Sequence, residues 1–134
     1  MSLILTIDAG TTSMKTSLLD TDFNLMHQAA VEYAFTAEGN RAVMDPEIYW
    51  QALCAGINEL KSKGCDLNRV AGVCITTQGE TLIPVDKNGH PLYQAILWLD
   101  GRAVKQAAEL RKLISGEDFY RTTGIPDCNG FCPV

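Results

Sequence analysis

Three strand-like segments occupy the first 33 residues, and the links between them are too short to allow more than one arrangement. The segments are residues 3–8, 15–20 and 25–33, and residues 21–24 between the last two are rich in turn formers. A parallel pair of strands needs a crossover connection of about a dozen residues. The pattern therefore predicts an antiparallel meander at the start of the chain.

The first turn of this meander carries the most distinctive polar residues. Asp8 ends an apolar run, and Gly10, Thr11, Thr12 and Ser13 follow it. Gly10 has no Cβ and tolerates positive φ, so the backbone can approach a ligand. Hydroxyl and backbone N–H groups can surround phosphate oxygens. A carboxylate beside a bound phosphate is repelled by it, so a divalent cation between them is the natural complement. The turn thus predicts a phosphate site with a metal ion; an Asx or ST turn without a ligand is the alternative.

Helix and strand patterns follow the meander. Residues 37–44 are predicted to form a loop, and Asp45, Pro46 and Glu47 a helix start with Asp45 at the N-cap. This helix is expected to end near Lys63. Its inner face would carry apolar or small residues at three- and four-residue spacing: Tyr49, Leu53, Gly56, Ile57 and Leu60.

The second half of the chain begins with an apolar run at residues 70–76, which predicts a strand covered on both faces and parallel to the first. Residues 81–85 predict a short strand and Asn88-Gly89 a hairpin turn, after which residues 91–99 return to the sheet. A second helix over residues 103–114 would follow, and residues 119–134 look irregular. The inner face of this second helix would carry four residues: Val104, Ala107, Ala108 and Ile114.

Composition excludes some function classes. The formal net charge of −5 argues against sequence-independent nucleic-acid binding, which needs a basic surface. No apolar run approaches the roughly 20 residues of a membrane span, and no signal peptide opens the chain, so we expect a cytoplasmic location. The five cysteines form no CxxC pair and are expected to be reduced, with Cys54 and Cys74 buried. The spacing of Cys128 and Cys132 is a weak metal or disulfide signal.

The predicted β-β-β-α-β-α order resembles a known fold. It differs from a Rossmann start, because the first connection is a hairpin, and it lacks the lysine of a P-loop. It resembles the ribonuclease H-like α/β half-domain, with a mixed sheet, of the actin, Hsp70 and sugar-kinase superfamily. Within that superfamily the chain is similar to the FGGY carbohydrate kinases, which include glycerol and xylulose kinases. Five stretches carry this resemblance: residues 8–13, Asp45-Pro46 with Trp50, residues 77–81, residues 97–102 and, more weakly, residues 123–126.

The resemblance implies ATP-dependent phosphorylation of a sugar or polyol hydroxyl, with residues 1–134 forming an incomplete N-terminal domain. It implies that Asp8 helps to place Mg²⁺, directly or through water, and that residues 10–13 approach the ATP phosphates. The aspartate that takes the hydroxyl proton is expected downstream, so no catalytic residue lies in these 134 residues and the chain alone should be inactive. The acceptor pocket would be lined by Gln78, Gly79, Glu80, Trp98, Asp100 and Arg102.

Each acceptor residue also has an ordinary structural explanation. Glu80 could be a solvated turn residue, Trp98 a core residue, and Asp100 with Arg102 an N-cap and a surface charge. The physical argument for a site is that amide and carboxylate oxygens hold hydroxyl groups while an aromatic wall buries carbon.

Departures from the family pattern bear on the acceptor. Gly79 replaces the arginine that glycerol kinases carry beside the glutamate, and Glu80-Thr81 replaces the Met-His pair of xylulose kinases. The tail where a tyrosine commonly contacts the sugar reads Asn-Gly-Phe at residues 129–131. We therefore predict an acceptor other than glycerol or xylulose.

Other functions and partners stay open at this point. A non-catalytic nucleotide-binding or regulatory module of the same superfamily is one alternative, and a structural domain that has lost its function is another. We expect small-molecule partners and neither nucleic-acid nor membrane partners. A homodimer is an open alternative to a monomer, because an exposed inter-domain face would be apolar enough to self-associate.

Overall fold

The computed structural model describes residues 2–126, and the chain divides into two compact units. Unit 1 comprises Met1–Ala34 and Pro46–Gln78, and unit 2 comprises Phe35–Asp45 and Gly79–Val134. The strands are β1 (Leu3–Ala9), β2 (Ser13–Leu19), β3 (Leu25–Glu32), β4 (Thr36–Glu38), β5 (Arg41–Met44), β6 (Val70–Thr77) and β7 (Ala95–Ile96). The helices are α1 (Glu47–Ser62), a 3₁₀ turn at Leu67–Arg69, α2 (Val104–Leu113) and α3 (Gly116–Thr123).

Unit 1 contains a four-stranded sheet in the order β3-β2-β1-β6. The pairs β1–β2 and β2–β3 are antiparallel, which confirms the predicted meander. Strand β6 is parallel to β1, also as predicted. This pairing places Asp8 between Lys15 of β2 and Thr76 of β6 at one end of the sheet.

Helix α1 packs on β2 and β3 with the face that its sequence predicts. Leu60 and Gly56 are buried, and Leu53 and Ile57 are partly buried against the core. Helix α1 begins at Glu47 with Pro46 at the N-cap position, one residue later than the predicted Asp45. None of the helices between residues 2 and 126 is long and apolar enough to cross a membrane.

The prediction that β6 is covered on both faces is wrong for the residues that the structure describes. Strand β6 is an edge strand, and Val73 and Ile75 are 58% and 63% exposed. They pair in register with the buried Leu5 and Ile7, so they extend the same apolar face. The predicted burial of Cys74 is wrong for the same reason, since its thiol lies on this exposed edge. The apolar run identified the strand, but its cover depends on neighbouring elements that a run does not reveal.

Unit 2 contains a three-stranded antiparallel sheet in the order β4-β5-β7. The loop predicted over residues 37–44 is wrong, because β4 and β5 form a hairpin with Gly39 in the left-handed region at its tip. Ala42, Val43 and Met44 are buried in this hairpin. Strands of three and four residues are too short for an alternating pattern to be recognised.

The strand predicted over residues 81–85 is also not continuous. This segment makes two isolated bridges, from Leu82 to Ile96 and from Val85 to Pro91. The predicted turn is present between Val85 and Pro91. The Asp86 carbonyl accepts a hydrogen bond from the Gly89 N–H at 3.0 Å, and Gly89 has positive φ.

The helical part of unit 2 differs from the prediction in its inner face and in one added helix. Helix α2 is present, but of its four predicted inner residues only Ala107 is buried, and it packs against Phe119 of α3. Helix α3 lies in the stretch predicted to be irregular. Its Ser115 N-cap accepts the Asp118 N–H, a Ser-x-x-Asp signal that could have revealed the helix. The predictions for Cys128, Cys132 and residues 129–131 lie outside the described residues.

Candidate nucleotide and acceptor site

The turn after β1 is held by short backbone contacts. The Gly10 N–H donates to the Ser13 carbonyl at 3.0 Å, and a Cβ on residue 10 would lie 3.1 Å from that same oxygen. Gly10 does not adopt positive φ, so contact and not left-handed backbone is what requires glycine here. The predicted turn after β1 is therefore present, and a side chain at residue 10 would crowd the Ser13 carbonyl.

The Asp8 carboxylate stands at the entrance of this turn and is 47% exposed. Its nearest cationic partner is Lys15, with Nζ 4.0 Å from Oδ2, a weak and solvated pair. Among residues 2–126, no three His, Cys, Asp or Glu side chains are close enough to hold a metal ion by themselves. Mg²⁺ is usually bound by one or two carboxylates together with water and substrate phosphates, so a single exposed carboxylate fits this ion.

Tyr33 supports the turn from the end of β3, a role that sequence reasoning missed. Its backbone N–H donates to the Thr12 carbonyl at 2.9 Å, and its hydroxyl donates to the Gly10 carbonyl at 2.7 Å. Burial, with smaller contributions from Tyr49 and Asp8, raises the pKa of Tyr33 to about 12. The phenol therefore stays protonated and remains a donor at neutral pH.

Gln78 joins this turn in unit 1. Its backbone N–H donates to the Ala9 carbonyl at 2.9 Å, and its Oε1 accepts the Thr11 hydroxyl at 2.9 Å. Its Nε2 donates to the Tyr49 hydroxyl, and the Tyr49 ring meets Tyr33 edge to face with centroids 5.6 Å apart. The structure thus brings one predicted acceptor residue into direct contact with the predicted phosphate turn.

The other five predicted acceptor residues lie in unit 2. Glu80 has a φ of +66°, which is unusual for a residue with a side chain. Gly79 has open space where a Cβ would stand. Trp98 is 39% exposed, so it is only partly covered by unit 2.

Asp100 is the buried carboxylate of unit 2, with a side chain 5% exposed. It accepts hydrogen bonds from the Ala42 N–H at 2.9 Å, from the Arg102 N–H at 3.1 Å and from the Arg102 guanidinium at 2.8 Å. Burial raises the pKa of Asp100, but the hydrogen bonds from Arg102 and Ala42 outweigh burial and hold the pKa below its usual value. Asp100 therefore remains ionised and ties β5 to the segment before α2.

Arg102 also reaches Tyr93, which the sequence did not single out. Hydrogen bonds from Arg102 and Arg41 lower the pKa of Tyr93, and Arg41 binds Gln94 Oε1 at 2.5 Å. A cavity of about 310 Å³ opens beside this group, lined by Tyr93, Ile96, Leu97, Asp100, Arg102, Ala103 and Gln106. No sequence motif marks Arg41, because its partners lie more than 50 residues away along the chain.

Known proteins resemble this chain along its whole length. A glycerol kinase from Mycoplasma pneumoniae is 33% identical over 127 residues, which cover 92% of this chain and 25% of that protein. The crystal structure of Plasmodium falciparum glycerol kinase with ADP superposes with a TM-score of 0.82 at 28% identity, covering 98% of this chain and 27% of that chain. A xylulose kinase structure from Lactobacillus acidophilus has a TM-score of 0.86 at 24% identity, covering 99% and 27%.

These likenesses fix the fold and the family. The structural neighbours confirm the predicted ribonuclease H-like half-domain. The chain spans about a quarter of the length of the relatives it matches. A model of the FGGY family of carbohydrate kinases, N-terminal domain, matches residues 3–133. The chain therefore belongs to the FGGY family of carbohydrate kinases, within the family's N-terminal domain.

Proposed function

We propose that this chain is part of an ATP-dependent kinase that phosphorylates a hydroxyl of a sugar or polyol, and that its β1 turn holds the phosphates of ATP. The observation that carries this proposal is the half-exposed Asp8 carboxylate beside the tight turn at residues 10–13. Family membership supports the kinase class, and the related glycerol kinase with bound ADP supports nucleotide use.

Phosphoryl transfer requires mainly that reactants be positioned and that charge on the phosphoryl oxygens be neutralised. In this proposal Asp8 holds Mg²⁺, directly or through water, while Gly10, Thr11, Thr12 and Ser13 face the phosphates. When bound, Mg²⁺ would neutralise phosphate charge. The rigid support of the turn by Tyr33 suits such a site, because the donors then need no rearrangement during the reaction.

We assign acceptor binding to the six residues predicted from the sequence: Gln78, Gly79, Glu80, Trp98, Asp100 and Arg102. The positive φ of Glu80 supports this, since strained backbone of this kind is concentrated at functional sites. The Asp100 oxygens already accept hydrogen bonds from the protein, so its contribution is to hold Arg102 in place. Without an arginine at position 79, a glycerol hydroxyl would lose a donor fork, so we propose another acceptor.

The general base that accepts the hydroxyl proton is proposed to lie outside these 134 residues. The proposal further implies the cytoplasm, where ATP is available, and small-molecule partners without nucleic acid or membrane. A homodimer is left to measurement by light scattering.

The test uses a polypeptide that carries this chain at the length of its relatives. ADP release is followed with a panel of polyols, aldoses, ketoses and sugar acids, and we expect release only with one acceptor class. Asp8→Asn should reduce the rate by about 100-fold or more, as loss of one metal-holding or charge-stabilising group does. Asp22→Asn, on an exposed turn of unit 1, is the matched control and should leave the rate unchanged. Nucleotide binding with no acceptor effect would instead indicate a regulatory module.

A further inference from the structure

The hydrogen bond between Thr11 and Gln78 joins two residues for which we propose different ligands. The Thr11 hydroxyl has one proton, and it gives this proton to Gln78 Oε1 at 2.9 Å. It cannot donate the same proton to a phosphate oxygen. If Thr11 turned its proton to a phosphate, the Gln78 oxygen would lose this donor.

The remaining contacts of Gln78 do not depend on Thr11. Its backbone N–H is bound to the Ala9 carbonyl, and its Nε2 is bound to the Tyr49 hydroxyl. Tyr49 in turn packs edge to face on Tyr33. If Thr11 turns its proton away, the Gln78 side chain therefore stays where it is, with its oxygen free to accept another donor.

We propose that this hydrogen bond couples the two binding steps of the proposed kinase. A phosphate at the turn takes the Thr11 proton, and the vacated Gln78 oxygen then accepts a hydroxyl of the sugar or polyol. Tyr49, supported by Tyr33, is the positioning residue that keeps Gln78 in place during the exchange. The inference rests on the proposed phosphate-binding role of the turn.

The coupling is positive, and linkage makes it reciprocal. Phosphate binding breaks the hydrogen bond from Thr11 to Gln78. Acceptor binding then gives the Gln78 oxygen a new donor in place of Thr11. One neutral hydrogen bond in a protein corresponds to roughly 2- to 10-fold in a binding constant. Each ligand should therefore tighten the binding of the other by about that factor.

The proposal makes a counter-intuitive prediction for Gln78→Met. This change removes the oxygen that competes for the Thr11 proton, so phosphate binding should become roughly 2- to 10-fold tighter. A residue that merely supported the turn would weaken phosphate binding when replaced. Gln28→Met is the matched control: Gln28 donates to Ser17 on β2, and its replacement should leave phosphate binding unchanged.

The experiment titrates Mg²⁺-tripolyphosphate into the 134-residue chain and follows the amide signals of residues 10–13 and the Gln78 side-chain amide by ¹⁵N NMR. In the wild type both sets should move together, with one dissociation constant. Thr11→Ser should retain this behaviour, because it keeps the hydroxyl, and Thr11→Val should weaken binding. The dispersion of each spectrum shows whether the variant is folded.

The outcomes separate the two proposals. If tripolyphosphate moves no turn signal in the wild type, the proposed function of the turn fails, and the coupling fails with it. If the turn signals move while the Gln78 side chain does not, or if a folded Gln78→Met binds with equal or weaker affinity, only the coupling is overturned.

Discussion

Helix α1 lies close to strand β2 because residue 56 has no side chain. A Cβ on Gly56 would stand 2.7 Å from Thr16 Oγ1 and 3.2 Å from Thr16 Cγ2. Thr16 is fully buried, and within the described residues its hydroxyl has no hydrogen-bond partner. The Thr16 side chain therefore cannot move away easily when a side chain is added at residue 56.

Two opposing terms decide the effect of Gly56→Ala on the free energy of unfolding. Alanine in a helix interior is favoured over glycine by about 1 kcal/mol. Overpacking of a core contact costs about 1–3 kcal/mol. We expect a net loss of about 1 kcal/mol. In a Thr16→Ala background the overlapping atoms are gone, so the same change should stabilise the chain by up to about 1 kcal/mol.

The assay is urea unfolding of the four members of this double-mutant cycle, followed by far-UV circular dichroism. Gly116→Ala is the control, because a Cβ there meets no atom within 4 Å and should not destabilise. The reasoning is refuted if Gly56→Ala stabilises the wild type as much as it stabilises the Thr16→Ala variant.

Three further predictions concern the site. Glu80→Gly should raise the free energy of unfolding by about 1 kcal/mol, because glycine tolerates positive φ, while Glu80→Gln should not; equal urea midpoints would contradict this. The pKa of Tyr33 is raised to about 12 in the folded chain, so the free energy of unfolding should fall as pH rises from about 10 to 12. Tyr33→Phe should flatten this part of the pH–stability curve relative to wild type. Asp100→Ala should cost about 2–4 kcal/mol in urea unfolding by leaving the Ala42 N–H and Arg102 without their acceptor; a loss below 1 kcal/mol would contradict its structural role.

The meander, α1 and the parallel β6 could be predicted because each has a long pattern with one physical solution. Short links require antiparallel strands, and the spacing of Leu53, Ile57 and Leu60 fixes the buried face of α1. The β4–β5 hairpin could not be predicted in this way, since the buried Val43 and Met44 pair with β7, which lies far along the chain. The exposure of Val73 likewise depends on which elements flank β6.

The candidate site likewise contains residues that could be predicted from the sequence and residues that could not. Asp8 and residues 10–13 are adjacent in sequence, so their chemistry could be recognised without a structure. Tyr33 and Tyr49 could not, because the sequence around a tyrosine gives no sign of a hydroxyl bound to a distant backbone carbonyl or side chain. Contacts across the fold, such as Thr11 with Gln78, appear only when the strands are paired.

The most direct test of the account is whether ATP binding at the β1 turn depends on Mg²⁺ through Asp8. ATP is titrated into the 134-residue chain with and without Mg²⁺, and the amide signals of residues 10–13 are followed by NMR. We predict that these signals move in wild type and in Asp22→Asn only when Mg²⁺ is present. In Asp8→Asn, the response of these signals to ATP should be the same with and without Mg²⁺. Turn signals that respond equally with and without Mg²⁺ in wild type, or that do not respond to ATP at all, would contradict the account.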